Sequence, residues 1–124
     1  MAEANYYLSL VDSLTYRQIC VLGMLKLKPH ISQPLDLRSN DYRTNNDNLS
    51  AELVTLLQEI YLMHSQGLVV VKSSSGGGYE ALLGWHDITP SRLELGSLGD
   101  RLSTLLGLIN MERNSLDHVA SLLR

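Results

Sequence analysis

The side chains in this sequence best suited to chemistry are cations and amides gathered in one stretch. Arg38, Arg43, Asn45, Asn46 and Asn48 lie within eleven residues, and Lys72 stands just before a Ser/Gly-rich segment. Guanidinium, ammonium and amide groups are the ones that neutralise phosphates and read base edges. Arg38, Arg43, Asn45, Asn46 and Lys72 are therefore the candidate nucleic-acid contacts. Three cations neutralise few phosphates, however, and Asn and Asp are turn formers in their own right, so a solvated Asn-rich connection accounts for the same residues.

Other chemistries find less support. Cys20 is the only cysteine and lies in the apolar run Ile19-Cys20-Val21-Leu22, which suits a small core residue rather than a disulfide or a thiolate metal site. His30, His64, His86 and His118 are too far apart in sequence to place two metal ligands on one helical face. The run from Ser73 to Gly78 is glycine-rich, yet no Lys-Ser/Thr pair and no helix start follows it, so it reads as a flexible hairpin tip rather than a phosphate cradle. No Gly-x-Ser-x-Gly elbow is present to hold a nucleophile. Glu52 and Glu59 sit seven apart on one helix face expected to be solvated, a poor setting for acid-base work. The expectation is a non-enzymatic protein with no metal, no cofactor and no small-molecule ligand.

These residues must be positioned by the surrounding elements. Thr15-Tyr16-Arg17-Gln18 has the pattern of a capping box, with Leu14 and Ile19 spaced as its hydrophobic staple. The nearly continuous apolar stretch from Ile19 to Leu27 predicts a core helix that ends at Lys26, Lys28 and Pro29. Residues 38–48 hold four Asn and a single apolar-capable side chain, and read as a long surface loop with at most one helical turn. Ser50 then caps a second helix whose Leu53, Leu56, Leu57, Ile60 and Met63 repeat at helical spacing until Gly67 stops it. A two-stranded ribbon follows, with Leu68–Val71 antiparallel to a strand inside Tyr79–Gly84. Arg92 to Leu95 reads as a brief extended piece. Leu98, Leu102, Leu105, Leu106 and Ile109 mark a third helix, and Leu116, Val119, Ala120 and Leu123 a fourth, capped by Asn114 or Ser115.

Whole-chain properties fit one soluble domain. The chain has 124 residues, 44% of them apolar, and a mean hydropathy of -0.02. Ten Lys plus Arg against thirteen Asp plus Glu give a net charge of -3, so no global positive field draws it to nucleic acid or anionic lipid. No apolar run approaches the roughly 18 residues of a membrane span, and the N-terminus has no basic leader segment, so a cytoplasmic protein without membrane contact is expected.

The order of parts resembles the winged helix-turn-helix superfamily in its MarR-like and PadR-like arrangement. Gly67-Leu68-Val69 stands where those proteins turn from recognition helix to wing, and Leu95-Gly96-Ser97-Leu98-Gly99-Asp100-Arg101-Leu102 resembles the segment that opens their next helix. The resemblance spans about residues 14–109. It implies an α+β, winged-helix-like domain of three or four helices with a small antiparallel β-ribbon as the wing. The chain 1–124 then forms a single domain, with 1–13 an N-terminal extension and 110–124 a C-terminal helix.

Two departures bear on function. The helix in the recognition position, Ser50 to Gln66, contains no Lys or Arg, and Glu52, Thr55 and Glu59 are expected on its outward side, where they would repel phosphate. The polar 38–48 loop replaces a short positioning helix. The favoured function is a regulatory or protein-interaction module that kept the scaffold and lost its DNA surface; the alternative is a dimeric DNA-binding transcriptional regulator. Partners are then another protein or a second copy of the chain, with nucleic acid disfavoured. Tyr61 and Leu62 lie beside the second helix's acidic face, where they either pack under the ribbon or offer a partner contact; Leu116, Val119 and Leu123 are a candidate interface, because so short a helix must dock on something, either its own core or the equivalent helix of a second chain.

Overall fold

A computed structural model of the protein describes residues 2–31, 35–44, 49–74 and 76–124, with side chains described from Leu8 onward. It is an α+β domain in which helices surround a small three-stranded antiparallel sheet.

The N-terminal extension is itself helical, as α1 (Ala2–Ser13), with Leu10 buried and Leu8 exposed. Helix α2 (Tyr16–Leu27) begins with the capping box read in the sequence: the Thr15 hydroxyl accepts from the Gln18 N–H, and the Gln18 side chain accepts from the Thr15 N–H at 2.9 Å. Cys20, Val21, Leu22 and Met24 are at most 1% exposed, which places α2 at the centre of the core. Gly23 also has a packing role. A Cβ there would lie 2.8 Å from Met111 Sδ and 3.2 Å from Leu116 Cδ2, so a larger residue would make these two side chains of the C-terminal segment shift. Lys26 and Lys28 act across elements. Lys26 pairs with Asp100 at 2.9 Å, and Lys28 donates to the Ser91 and Leu93 carbonyls.

Helix α3 (Ala51–Ser65) starts at Ser50, whose hydroxyl accepts from the Leu53 N–H, and buries Leu56, Leu57, Ile60 and Met63. After Gly67, with φ of 80°, comes β1 (Val69–Lys72), which pairs with β2 (Tyr79–Glu80) in the register Val71 to Glu80. The second strand is shorter than the apolar run around it. After Glu80 the backbone leaves the sheet; Leu83 is 91% exposed, and the Asp87 carboxylate accepts from the Leu83 N–H at 2.8 Å. The short extended piece forms β3 (Leu93–Leu95), which pairs with the other side of β1 and leaves β1 central.

Helix α4 (Ser97–Leu105) stops earlier than its apolar spacing suggests, because Gly107 adopts φ of 65° and diverts the chain into one 3-10 turn at Leu108–Asn110. Helix α5 (Arg113–Leu122) begins after Glu112 with no side-chain cap, so Asn114 and Ser115 lie inside it instead of before it. Its stripe takes the first of the two expected docking surfaces. Leu116, Val119 and Leu123 are 2%, 1% and 0% exposed against the protein's own core, chiefly α2, and offer no free face for a partner. The short helix finds its docking surface within its own chain.

Candidate functional site

Helix α3 presents a face without cations. Ala51, Thr55, Gln58, Leu62 and Ser65 are its exposed residues at three- and four-residue steps, with Glu52 beside them. Leu62 is 52% exposed, whereas Tyr61 is half-buried and stacks on His64 with ring centroids 6.5 Å apart. The expected acidity of this face is largely cancelled. Glu59 does not project into solvent: it forms an ion pair with Arg17 at 2.9 Å, accepts from the Thr15 hydroxyl, and gives its backbone carbonyl to the Gln18 amide at 3.1 Å. The carboxylate ties the start of α2 to the middle of α3. Glu52 lies 2.7 Å from His118 Nε2 on α5.

The sequence-predicted cations do not converge on a shared outward surface. Arg43 Nε bonds Asp87 at 2.7 Å and lies 3.4 Å from Asp41. Burial alone would push the Asp87 carboxyl up, but the N–H groups of Leu83 and Gly84 and the Arg43 guanidinium overcome it and hold the carboxyl below its ordinary range. Lys72 faces Glu94 at 3.8 Å, on β3. Arg38 is a loop anchor. Its N–H donates to Leu123 O at 2.8 Å, its carbonyl accepts from Ser91 N–H, and its guanidinium donates to the Asn40 and Asp41 carbonyls. Asn45 and Asn46 lie outside the described residues.

The loop is tied down more firmly than its composition suggests. Its one apolar-capable side chain, Tyr42, is 1% exposed, and the Tyr42 N–H donates to His86 O at 2.9 Å. No helical turn forms in its described part, residues 38–44. Pairings such as Arg43 with Asp87 join positions 44 apart, and no local pattern announces them.

A cleft of about 530 Å³ opens elsewhere, between the end of α2 and β3, lined by Lys26, Lys28, His30, Glu94 and Asp100 among others. Burial lowers the pKa of the Lys28 ammonium, Glu94 opposing and Lys72 adding to the shift. Both ammoniums are engaged within the fold, and Glu94 and Asp100 balance them in charge. Among the described residues, no group of His, Cys, Asp and Glu is arranged to hold a metal ion.

No protein-family profile, curated protein or solved structure matches the chain.

Proposed function

We propose that the protein is a non-enzymatic, winged-helix-like interaction module that binds another protein through the exposed face of α3. One observation carries this reading: the face made by Ala51, Thr55, Gln58, Leu62 and Ser65 has no cation and centres on a half-exposed leucine. A surface of this kind contributes nothing to phosphate neutralisation, the main source of nucleic-acid affinity, but suits an apolar contact ringed by hydrogen-bonding groups. The internal pairing of Arg43 and Lys72 supports the same reading, since a duplex would have to compete with Asp87 and Glu94 for them.

Two measurements test it. A photo-crosslinking residue placed at Thr55 in the native cell is expected to give a discrete protein adduct that Leu62→Glu removes. Random duplex DNA is expected to bind more weakly than about 10⁻⁴ M at physiological salt. Micromolar duplex binding with a steep salt slope, lost on Arg38→Ala or Arg43→Ala, would overturn the proposal in favour of a DNA-binding regulator.

A further inference from the structure

Where the 38–44 loop meets the turn at Thr89–Arg92, a polar pocket of about 240 Å³ is lined by Arg38, Ser39, Asn40, Asp41, Thr44, Thr89 and Arg92. Its polarity is unlike that of the larger cleft. Neither Arg92 nor Thr89 is a site candidate in the sequence, because the pocket is assembled from two segments some fifty residues apart.

Three features of this pocket point outward, to a ligand. The first is Arg38, whose interactions are all with neutral groups: two backbone carbonyls and the Tyr42 ring, with the guanidinium carbon 4.3 Å from the ring centroid. A guanidinium has five N–H donors, so about three remain, and among the described residues no carboxylate pairs with it. The second is Arg92, held only loosely by Glu80 at 3.6 Å with its side chain about one-third exposed. The third is Thr89, just 4% exposed on the pocket wall, whose hydroxyl has no hydrogen-bond partner among the described residues. The hydroxyls of Ser39 and Thr44 and the Asn40 amide likewise have none there. The wall thus sets two guanidiniums and several hydroxyl and amide donors against the single carboxylate of Asp41, an excess of positive charge and donors that favours an anion.

The Asp41 carboxylate also lines the pocket, but it is occupied by the Arg43 backbone N–H at 3.2 Å and lies 3.4 Å from the Arg43 guanidinium. The donors left over are two guanidiniums, hydroxyls and an amide arranged around a small volume. That set suits a tetrahedral dianion with three equivalent oxygens better than a planar carboxylate with two.

We infer that this pocket is a binding site for the phosphomonoester group of a small molecule, held between Arg38 and Arg92 with Thr89 donating from the wall. Arg38 is already oriented by the loop carbonyls and the Tyr42 ring, so little rotamer freedom is lost when the anion arrives. The assignment is independent of the α3 reading, and duplex binding is scored separately from it.

The test is an amide-resolved NMR titration of the full chain at constant ionic strength, with inorganic phosphate, glycerol 3-phosphate and acetate as separate probes. Both phosphates are expected to saturate with a Kd of about 1 mM or tighter, shifting Ser39, Thr89 and Arg92, while acetate binds at least about tenfold more weakly. Arg92→Gln and Thr89→Val, which leave the Arg38 anchor intact, are each expected to weaken phosphate by about tenfold with an otherwise unchanged spectrum. Non-saturating shifts, shifts centred elsewhere, or variants that bind like the wild type would overturn the site. Saturation by inorganic phosphate with none by glycerol 3-phosphate would overturn the ester assignment.

Discussion

Tyr42 shows how far a residue's role can depart from its local surroundings. It stands alone among Asn, Asp, Arg and Ser, yet it is the loop's plug into the core, and Arg38 lies across its ring. Burial drives the phenol's pKa up, with Arg38 opposing, and the hydroxyl is buried with no partner among the described residues. The ring therefore contributes packing, while the hydroxyl carries a desolvation cost. Tyr42→Phe is expected to leave stability unchanged or raise it by up to about 1 kcal/mol, whereas Tyr42→Ala should cost about 3–5 kcal/mol, as for other truncated core aromatics. Urea unfolding checks both; a Phe variant that loses more than about 1 kcal/mol would reveal a partner for the hydroxyl. The site was poorly legible at this scale for the same reason. The sequence identifies Arg38, Arg43 and Lys72 as cations, but whether a cation is free depends on Asp87 and Glu94, brought in by the fold from distant positions.

Elements were more legible where a local rule fixes them. The Thr15 capping box, the Ser50 cap and the Gly67 stop each depend on a few adjacent residues, and all three occur as read. A two-residue strand such as β2 is too short for any alternation to show, and α4 ends at a left-handed glycine that its leucine spacing runs past. The two short motifs that carried the winged-helix resemblance are in physical contact. Gly96 N–H donates to Leu68 O at 3.0 Å, and a Cβ on Gly99 would lie 1.9 Å from that same oxygen. The first turn of α4 thus rests directly on the backbone leaving α3, and Gly99 is required by that approach rather than by its dihedral angles. Gly99→Ala would normally favour a helix. Here it is expected to cost about 1–3 kcal/mol, because either α4 or the start of the sheet must shift to admit one methyl group. A stabilised Gly99→Ala variant in thermal or urea unfolding would contradict this packing.

At the scale of the whole molecule, the question is which apolar surface the fold uses up and which it leaves open. The periodicity of Leu116, Val119 and Leu123 reveals a buried stripe but not its owner, since the same stripe would serve a self-pairing helix equally well. In the structure the stripe is buried against its own core, and Met111 and Leu116 of the same chain pack where α2 has only Gly23. The end of α5 is fastened further by the Leu123 carbonyl, which accepts from Arg38 N–H, and by Arg124, whose guanidinium reaches Leu35 O at 3.5 Å. Helix α5 therefore closes the core and holds the loop that forms the phosphate pocket, linking folding to that site. Leu116→Ala is expected to destabilise the protein by about 2–5 kcal/mol, the range for a truncated core leucine. An intrachain dock also makes the unfolding midpoint independent of protein concentration, whereas a helix exchanged between two copies would shift the midpoint upward as concentration rises. Unfolding curves across a hundredfold range of concentration distinguish the two: coincident midpoints for wild type and Leu116→Ala keep α5 on its own domain, and a rising midpoint would return the stripe to a second copy.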